Sequence, residues 1–173
     1  MFTLAVIGVG NFDDKVLREI CMGLKEIIQL RKCSVSASSI SIQESYNSSR
    51  RQYHSTKLLT ALEQFAKGTD ADKVLGVTDV DLYVPTLNFV FGEAQCPGRV
   101  ALISTHRLHP EYYGEVNPEL YRKRVLKEAV HELGHTLGLG HCVNQACVMF
   151  FSNSIIDTDR KDYRLCANCL REI

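Results

Sequence analysis

The sequence carries no excess of either charge: Lys+Arg and Asp+Glu are both 20 in 173 residues, so the formal net charge at pH 7 is zero. A general nucleic-acid binder carries a basic surplus to neutralise phosphates, so this balance argues against that class. No export signal is readable either. The opening MFTLAVIGVG is apolar, but it has no basic n-region or small-residue cleavage site, and Asp13 and Asp14 follow at once. It is far too short to span a bilayer, and no other segment reaches that length. Internal repeats, low-complexity tracts and linker-like stretches are also missing. The expectation is a soluble, cytoplasmic protein without a membrane partner, folded as one domain over residues 1–173. Its composition, 45% hydrophobic and 23% charged, sits in the ordinary globular range.

Two further absences narrow the chemistry. Gly8-Val9-Gly10 precedes a helical pattern, but the third glycine of the dinucleotide fingerprint is not there, so a nucleotide role is not supported. The cysteines number seven, an odd count that a closed disulfide framework does not favour. Cys21, Cys33 and Cys96 are scattered and are expected to be small buried hydrophobes. Cys142, Cys147, Cys166 and Cys169 crowd into the last stretch of chain.

What is present alternates between strand and helix patterns. Residues 2–9 read as a buried strand. Asp13 is placed to cap a helix with apolar positions at Val16, Leu17, Ile20, Leu24, Ile27 and Ile28. Residues 35–42 alternate as a half-buried strand, whereas 44–54 show no clear period. A capping residue near Ser55 opens a second helix through Leu58, Leu59, Leu62 and Phe65, closed by Gly68. Strands are expected at 73–78, 87–91 and 100–104. Pro110, Gly114 and Pro118 mark the loop into a last long helix. The order implies an α/β or α+β fold with an at least partly parallel sheet.

The long helix carries His131-Glu-Leu-Gly-His135-Thr-Leu-Gly138-Leu-Gly-His141. His131 and His135 are one helical turn apart and project from one face, so both imidazoles can reach one ion. Glu132 is rotated by about 100° from His131. It therefore flanks such an ion, where it can take a proton from water. Val125, Leu126, Ala129, Val130, Leu133 and Leu137 fall opposite the histidines, so one face is expected on the sheet and the other in a cleft. Gly138 suits the left-handed turn that ends the helix and lets His141 return. Zinc favours nitrogen ligands and keeps an open position in catalytic sites. Nitrogen ligands alone also accept cobalt, nickel or iron. A chance HExxH is common in amphipathic helices; the added glycine and third histidine are far more specific.

Cys166-Ala-Asn-Cys169 is a C-x-x-C pair, and with Cys142 and Cys147 it completes a four-thiolate set suited to a closed structural zinc site. Such a clip contributes folding free energy to a segment poor in apolar residues. A redox C-x-x-C is the competing reading, though that motif usually sits where a strand meets its helix. Met149 on its own is core packing.

HELGHTLGLGHC, Cys147-Val148-Met149 and Cys166-Ala-Asn-Cys169, with RRQYHSTKLL, VLGVTDVDLYVPTLNFVFGEA and VALIST upstream, resemble the archaemetzincin family over most of the chain. The resemblance implies a metzincin-like fold: a twisted, mostly parallel five-stranded sheet, backing helices, an active-site helix and a small zinc-clipped C-terminal subdomain. Residues 1–141 would form the upper part and 142–173 the lower, with Met149 in the Met-turn. Residues 87–91 would be the antiparallel edge strand against which a peptide pairs. His131, His135 and His141 would hold a catalytic zinc, with Glu132 as general base. Cys142, Cys147, Cys166 and Cys169 would hold a structural one. The implied activity is that of a metallopeptidase, aminopeptidase-like in some members, acting on peptides or proteins; separately, the chain is expected to be a monomer.

Two other classes are weighed against it. One is a catalytically silent, zinc-stabilised peptide- or protein-binding protein, against which Glu132 counts because a structural site has no need of it. The other is a zinc-ribbon nucleic-acid module, disfavoured by charge and by the lack of aromatic–basic clustering near the cysteines. His106 and His109 form an H-x-x-H with no further ligands, and Glu128 is expected on a solvated face. Lys57, Arg99 and Arg107 are candidate peptide-terminus contacts, among which the sequence does not choose.

Overall fold

β1 (Phe2–Val9) is buried from Leu4 onward, as a continuous apolar run requires when helices cover both faces of a sheet. The computed structural model describes residues Met1–Ile173. Asp13 accepts the backbone N–H of Lys15 at 2.8 Å and starts α1 (Asp14–Ile27). β2 (Leu30–Ile40) follows, then two short strands, β3 (Tyr46–Asn47) and β4 (Gln52–His54). α2 (Ser55–Ala66) leads into β5 (Lys73–Thr78), β6 (Leu82–Tyr83), β7 (Gly92–Ala94) and β8 (Val100–Ser104). The chain closes with α3 (Pro118–Thr136), α4 (Ile155–Arg160) and α5 (Ala167–Leu170).

The main sheet has the order β2-β1-β5-β8-β7. Its first four strands are parallel, and β7 runs antiparallel to β8 at the edge. α1 and α3 cover one face, over a core that includes Leu17, Leu24, Leu75, Ile103 and Leu133. α2 covers the other through Leu58, Leu59 and Leu62, against Ile7, Val74 and Leu102. This is the expected fold class: a mostly parallel five-stranded α/β sheet with backing helices. The stretch where the sequence shows no period supplies β3 and β4, which β6 joins in a second, three-stranded sheet of order β3-β4-β6.

Several local expectations shift. The edge strand is Gly92–Ala94, and residues 87–91 are not a strand apart from one bridge between Val90 and Leu82. The cause is a turn after Pro85, closed by Leu87 N–H to Val84 O, and the grip of Arg50, whose guanidinium donates to Leu87 O and Asn88 O at 3.0 Å. The second strand begins at Leu30 and ends at Ile40. His54, not Ser55, is the N-cap of α2, without a side-chain cap, and the helix stops at Ala66 before Gly68. Cys21 and Cys33 are buried but bonded to each other, joining α1 to β2, and Cys96 is exposed.

α3 departs most from its wheel, because from Arg124 onward it is buried nearly all round. Its polar side is covered by α4 and the residue after it. Arg124 pairs with Asp159 through two bonds of 2.7 Å, and Lys127 donates to Thr158 O and Asp159 O at the end of α4. Glu128 is not solvated: it is 2% exposed and meets the wholly buried Lys161 ammonium at 3.0 Å, with Thr158 Oγ1 also donating. Removing one member of such a pair strands a buried charge. Lys161→Met is expected to cost about 3–5 kcal/mol, read as a lowered urea midpoint, and the Glu128→Leu/Lys161→Met double variant to recover most of it. A single variant as stable as the wild type would refute the buried pairing.

Candidate active site

The last turn of α3 places His131 and His135 on one face, with their Nε2 atoms 3.2 Å apart. Two ligands about 2.0–2.1 Å from one tetrahedral zinc are separated by roughly 3.4 Å, so this spacing fits a shared ion. Each Nδ1 is occupied: His131 Nδ1 donates to Val148 O and His135 Nδ1 to Leu139 O, both at 2.7 Å. Those bonds fix the ring orientation and leave Nε2 as the free donor atom.

The helix then stops in a Schellman motif. Gly138 takes φ +97°, its N–H goes to His135 O, and Leu139 N–H reaches back to Gly134 O. The reversed chain brings the His141 ring to 5.5 Å from His131 and 4.9 Å from His135, centroid to centroid. One nitrogen from each of the three rings lies within 4.8 Å of the others, a group able to hold a metal. Burial lowers the pKa of all three imidazoles, His131 most strongly, so the neutral form with an available lone pair prevails.

Glu132 is 4% exposed and sits beneath the edge strand. A Cβ on Gly92 would lie 2.6 Å from both its Oε1 and the backbone oxygen of Leu102, so β7 can cross the carboxylate only as glycine. Burial, then the charge of Glu128, pushes the Glu132 pKa well above the usual carboxylate range, with Lys161 opposing. Such a group is a better proton acceptor than an exposed glutamate. Gly134 has a similar steric reason: a Cβ there would collide with the Met149 sulfur, which is packed under the helix. The imidazoles and Glu132 line a cleft of about 350 Å³ whose far wall is Val84, Leu87, Phe89 and Val90.

The four clustered thiols also converge. Cys142–Cys166 and Cys166–Cys169 are 3.7 Å apart, and Cys147–Cys169 are 3.8 Å apart, sulfur to sulfur. Four thiolates about 2.3 Å from one tetrahedral zinc stand roughly 3.8 Å apart; a disulfide would need about 2.0 Å. Backbone N–H groups of Asn144 and Cys166 point at the Cys142 and Cys147 sulfurs. The Cys169 N–H chiefly brings the Cys166 thiol down to about 6, while burial pushes Cys169 up. These donors suit a closed metal site.

The remaining candidates lie elsewhere. His109 stacks on Tyr121 and faces Asp79 at 3.3 Å. Arg107 is engaged by Asp81 and covers Phe89, Arg99 donates to Thr69 O and Ala71 O, and Lys57 reaches Glu44 O. None of them lines the cleft. Gly92, Gly134 and Lys161 were missed by sequence reasoning. A glycine inside a helix, unfavourable by about 1 kcal/mol, is the one signal that could have pointed to Gly134.

Comparison with known proteins gives a consistent result. The profile of Peptidase family M54 matches residues 9–173. Archaemetzincin of Methanocaldococcus jannaschii is 46% identical over 166 residues, covering 95% of this chain and 89% of that protein. The crystal structure of archaemetzincin from Archaeoglobus fulgidus, complexed with malonate, superposes with a TM-score of 0.84 at 39% identity, covering 98% of this chain and 99% of that one. A zinc-dependent peptidase from Methanocorpusculum labreanum gives 0.87 at 30% identity, with 98% of both chains covered.

Gly134→Ala tests the close approach. Helix propensity alone would raise stability by about 1 kcal/mol, but overpacking against Met149 is expected to lower it by about 1–3 kcal/mol. A raised urea midpoint would mean that Met149 yields without cost.

Proposed function

This chain belongs to Peptidase family M54, the archaemetzincins, and from that premise we propose that it is a zinc-dependent metallopeptidase in which Glu132 is the general base. The observation that carries the reading is the paired orientation of His131 and His135. Both Nε2 atoms are presented to one point while both Nδ1 atoms are tied to backbone carbonyls. His141 completes the ligand set. A zinc ion bound there supplies Lewis acidity, lowering the pKa of water and polarising a carbonyl oxygen.

The chain's own residues do the rest. The free edge of β7 can pair with an extended peptide and hold it across the cleft. Glu132, under Gly92, takes the proton from the attacking water and delivers it to the leaving amine. The apolar wall formed by Val84, Leu87, Phe89 and Val90 excludes bulk water on one side. In this reading residues 1–141 form the upper subdomain, and 142–173 the lower one, containing the Met-turn at Met149. The lower part is clipped by a second zinc on Cys142, Cys147, Cys166 and Cys169, which the sulfur spacings support.

Glu132→Gln is expected to keep the wild-type metal content while hydrolysis of a fluorogenic peptide library falls by roughly 10²–10⁴-fold. Undiminished cleavage would remove Glu132 from the mechanism. Metal analysis of Cys166→Ser/Cys169→Ser should show one zinc per chain against two in the wild type. An unchanged count of two would remove the thiolate site.

A further inference from the structure

The reaction proposed above leaves one cleft carboxylate without a role. Glu93 stands at the middle of β7, on the free edge of the main sheet. Its neighbours Gly92 and Ala94 pair with Ile103 and Ala101, which belong to the core beneath α3. Glu93 pairs with Leu102, which belongs to the core beneath α2, so its side chain lies on the opposite face of the strand. Thr56 Oγ1, in the first turn of α2, donates to Glu93 Oε1 at 2.8 Å. Glu93 Oε2 is shielded from solvent and has no hydrogen-bond partner. Buried polar atoms are almost always paired, so this oxygen, on a residue of the cleft lining, leaves a carboxylate charge only half answered.

Charge sharpens the inference. The 16 residues lining the cleft include Glu93, Glu128 and Glu132 but no lysine or arginine. Glu128 is answered by Lys161 from below, and Glu132 has its function as proton carrier. No basic side chain forms an ion pair with Glu93, whose only polar partner is the neutral Thr56 hydroxyl. A peptide added to the edge of β7 presents alternate residues on each face, so every second side chain passes on the Glu93 side. An opposite charge across a strand pair is favourable there, and a like charge is not.

We propose that Glu93 is a specificity-determining residue that selects substrates bearing a cationic group, an ammonium or guanidinium, on the α2-facing side of the strand paired with β7. The assignment rests on the peptidase reading for the cleft's occupant, and it goes beyond it in naming the substrate class. The cationic group has two sources, a basic side chain or the free α-amine of a peptide whose first residues occupy the edge.

The test uses fluorescein-labelled peptides matched except for Lys, Gln or Glu at one scanned position, each with a free and an acetylated N-terminus. Wild-type kcat/KM is measured in parallel with Kd for the Glu132→Gln protein, by anisotropy. A preference for the cationic peptide of about fivefold is expected, shrinking as salt is raised. In Glu93→Gln, which keeps an oxygen for Thr56, the ratio should fall to about one. A preference lost on acetylation identifies the α-amine; one that survives identifies the side chain, and either outcome supports the assignment. No charge preference in the wild type, a preference retained in Glu93→Gln, or failure to bind any peptide overturns it. If nothing is cleaved but binding still follows charge through Glu93, the peptidase reading fails and the Glu93 assignment stands.

Discussion

The left-handed backbone at Gly138 is the constraint on which the rest of the site depends. Without a reversal there α3 would continue, and His141 could not share a point in space with residues on the helical face. The two Schellman hydrogen bonds that stop the helix also place Leu139 O within 2.7 Å of His135 Nδ1. One turn thus ends an element, orients a ring and redirects the chain. Leu139 is buried against the helix it has just left, which holds the reversal from the apolar side.

Beneath the turn, α3 is carried by charge as much as by apolar packing. Arg124, Lys127 and Glu128 are all buried, each with a partner on α4 or Lys161. Burying so many ionisable groups is unfavourable unless every one is satisfied, and a satisfied set admits few alternative arrangements. The helix bearing the histidines is therefore fixed against the segment that supplies Val148 O and Met149. Rigid placement of this kind is what a reactive constellation needs, since small errors of position are costly.

The broad fold was legible because its signals are periodic and local. Apolar runs at β1, β5 and β8 and the helical spacing in α1 need no distant partner to be read. The approach of three histidines to one point and of four thiols to another also followed from spacing and a single glycine. What escaped were features set by long-range contact. Residues 87–91 have a strand's composition, but Arg50 and the turn after Pro85 claim their backbone. Glu128 reads as a surface residue on its helix wheel, and only Lys161, 33 positions later in the numbering, makes its burial possible. Gly92 is an unremarked glycine until Glu132 is seen beneath it. Cys21 and Cys33 give no local sign of one another across the break between α1 and β2.

His141 and Cys142 are consecutive, so one peptide unit connects the nitrogen cluster to the sulfur cluster. Neither group can shift without pulling on the other. Under the two-zinc reading, occupancy at one position is then linked to affinity at the other, and linkage runs equally in both directions. The four cysteines, none of which lines the cleft, would then set the tightness with which the ion on the histidines is held. In that respect a thiolate clip would act less as a rivet than as a tuning peg.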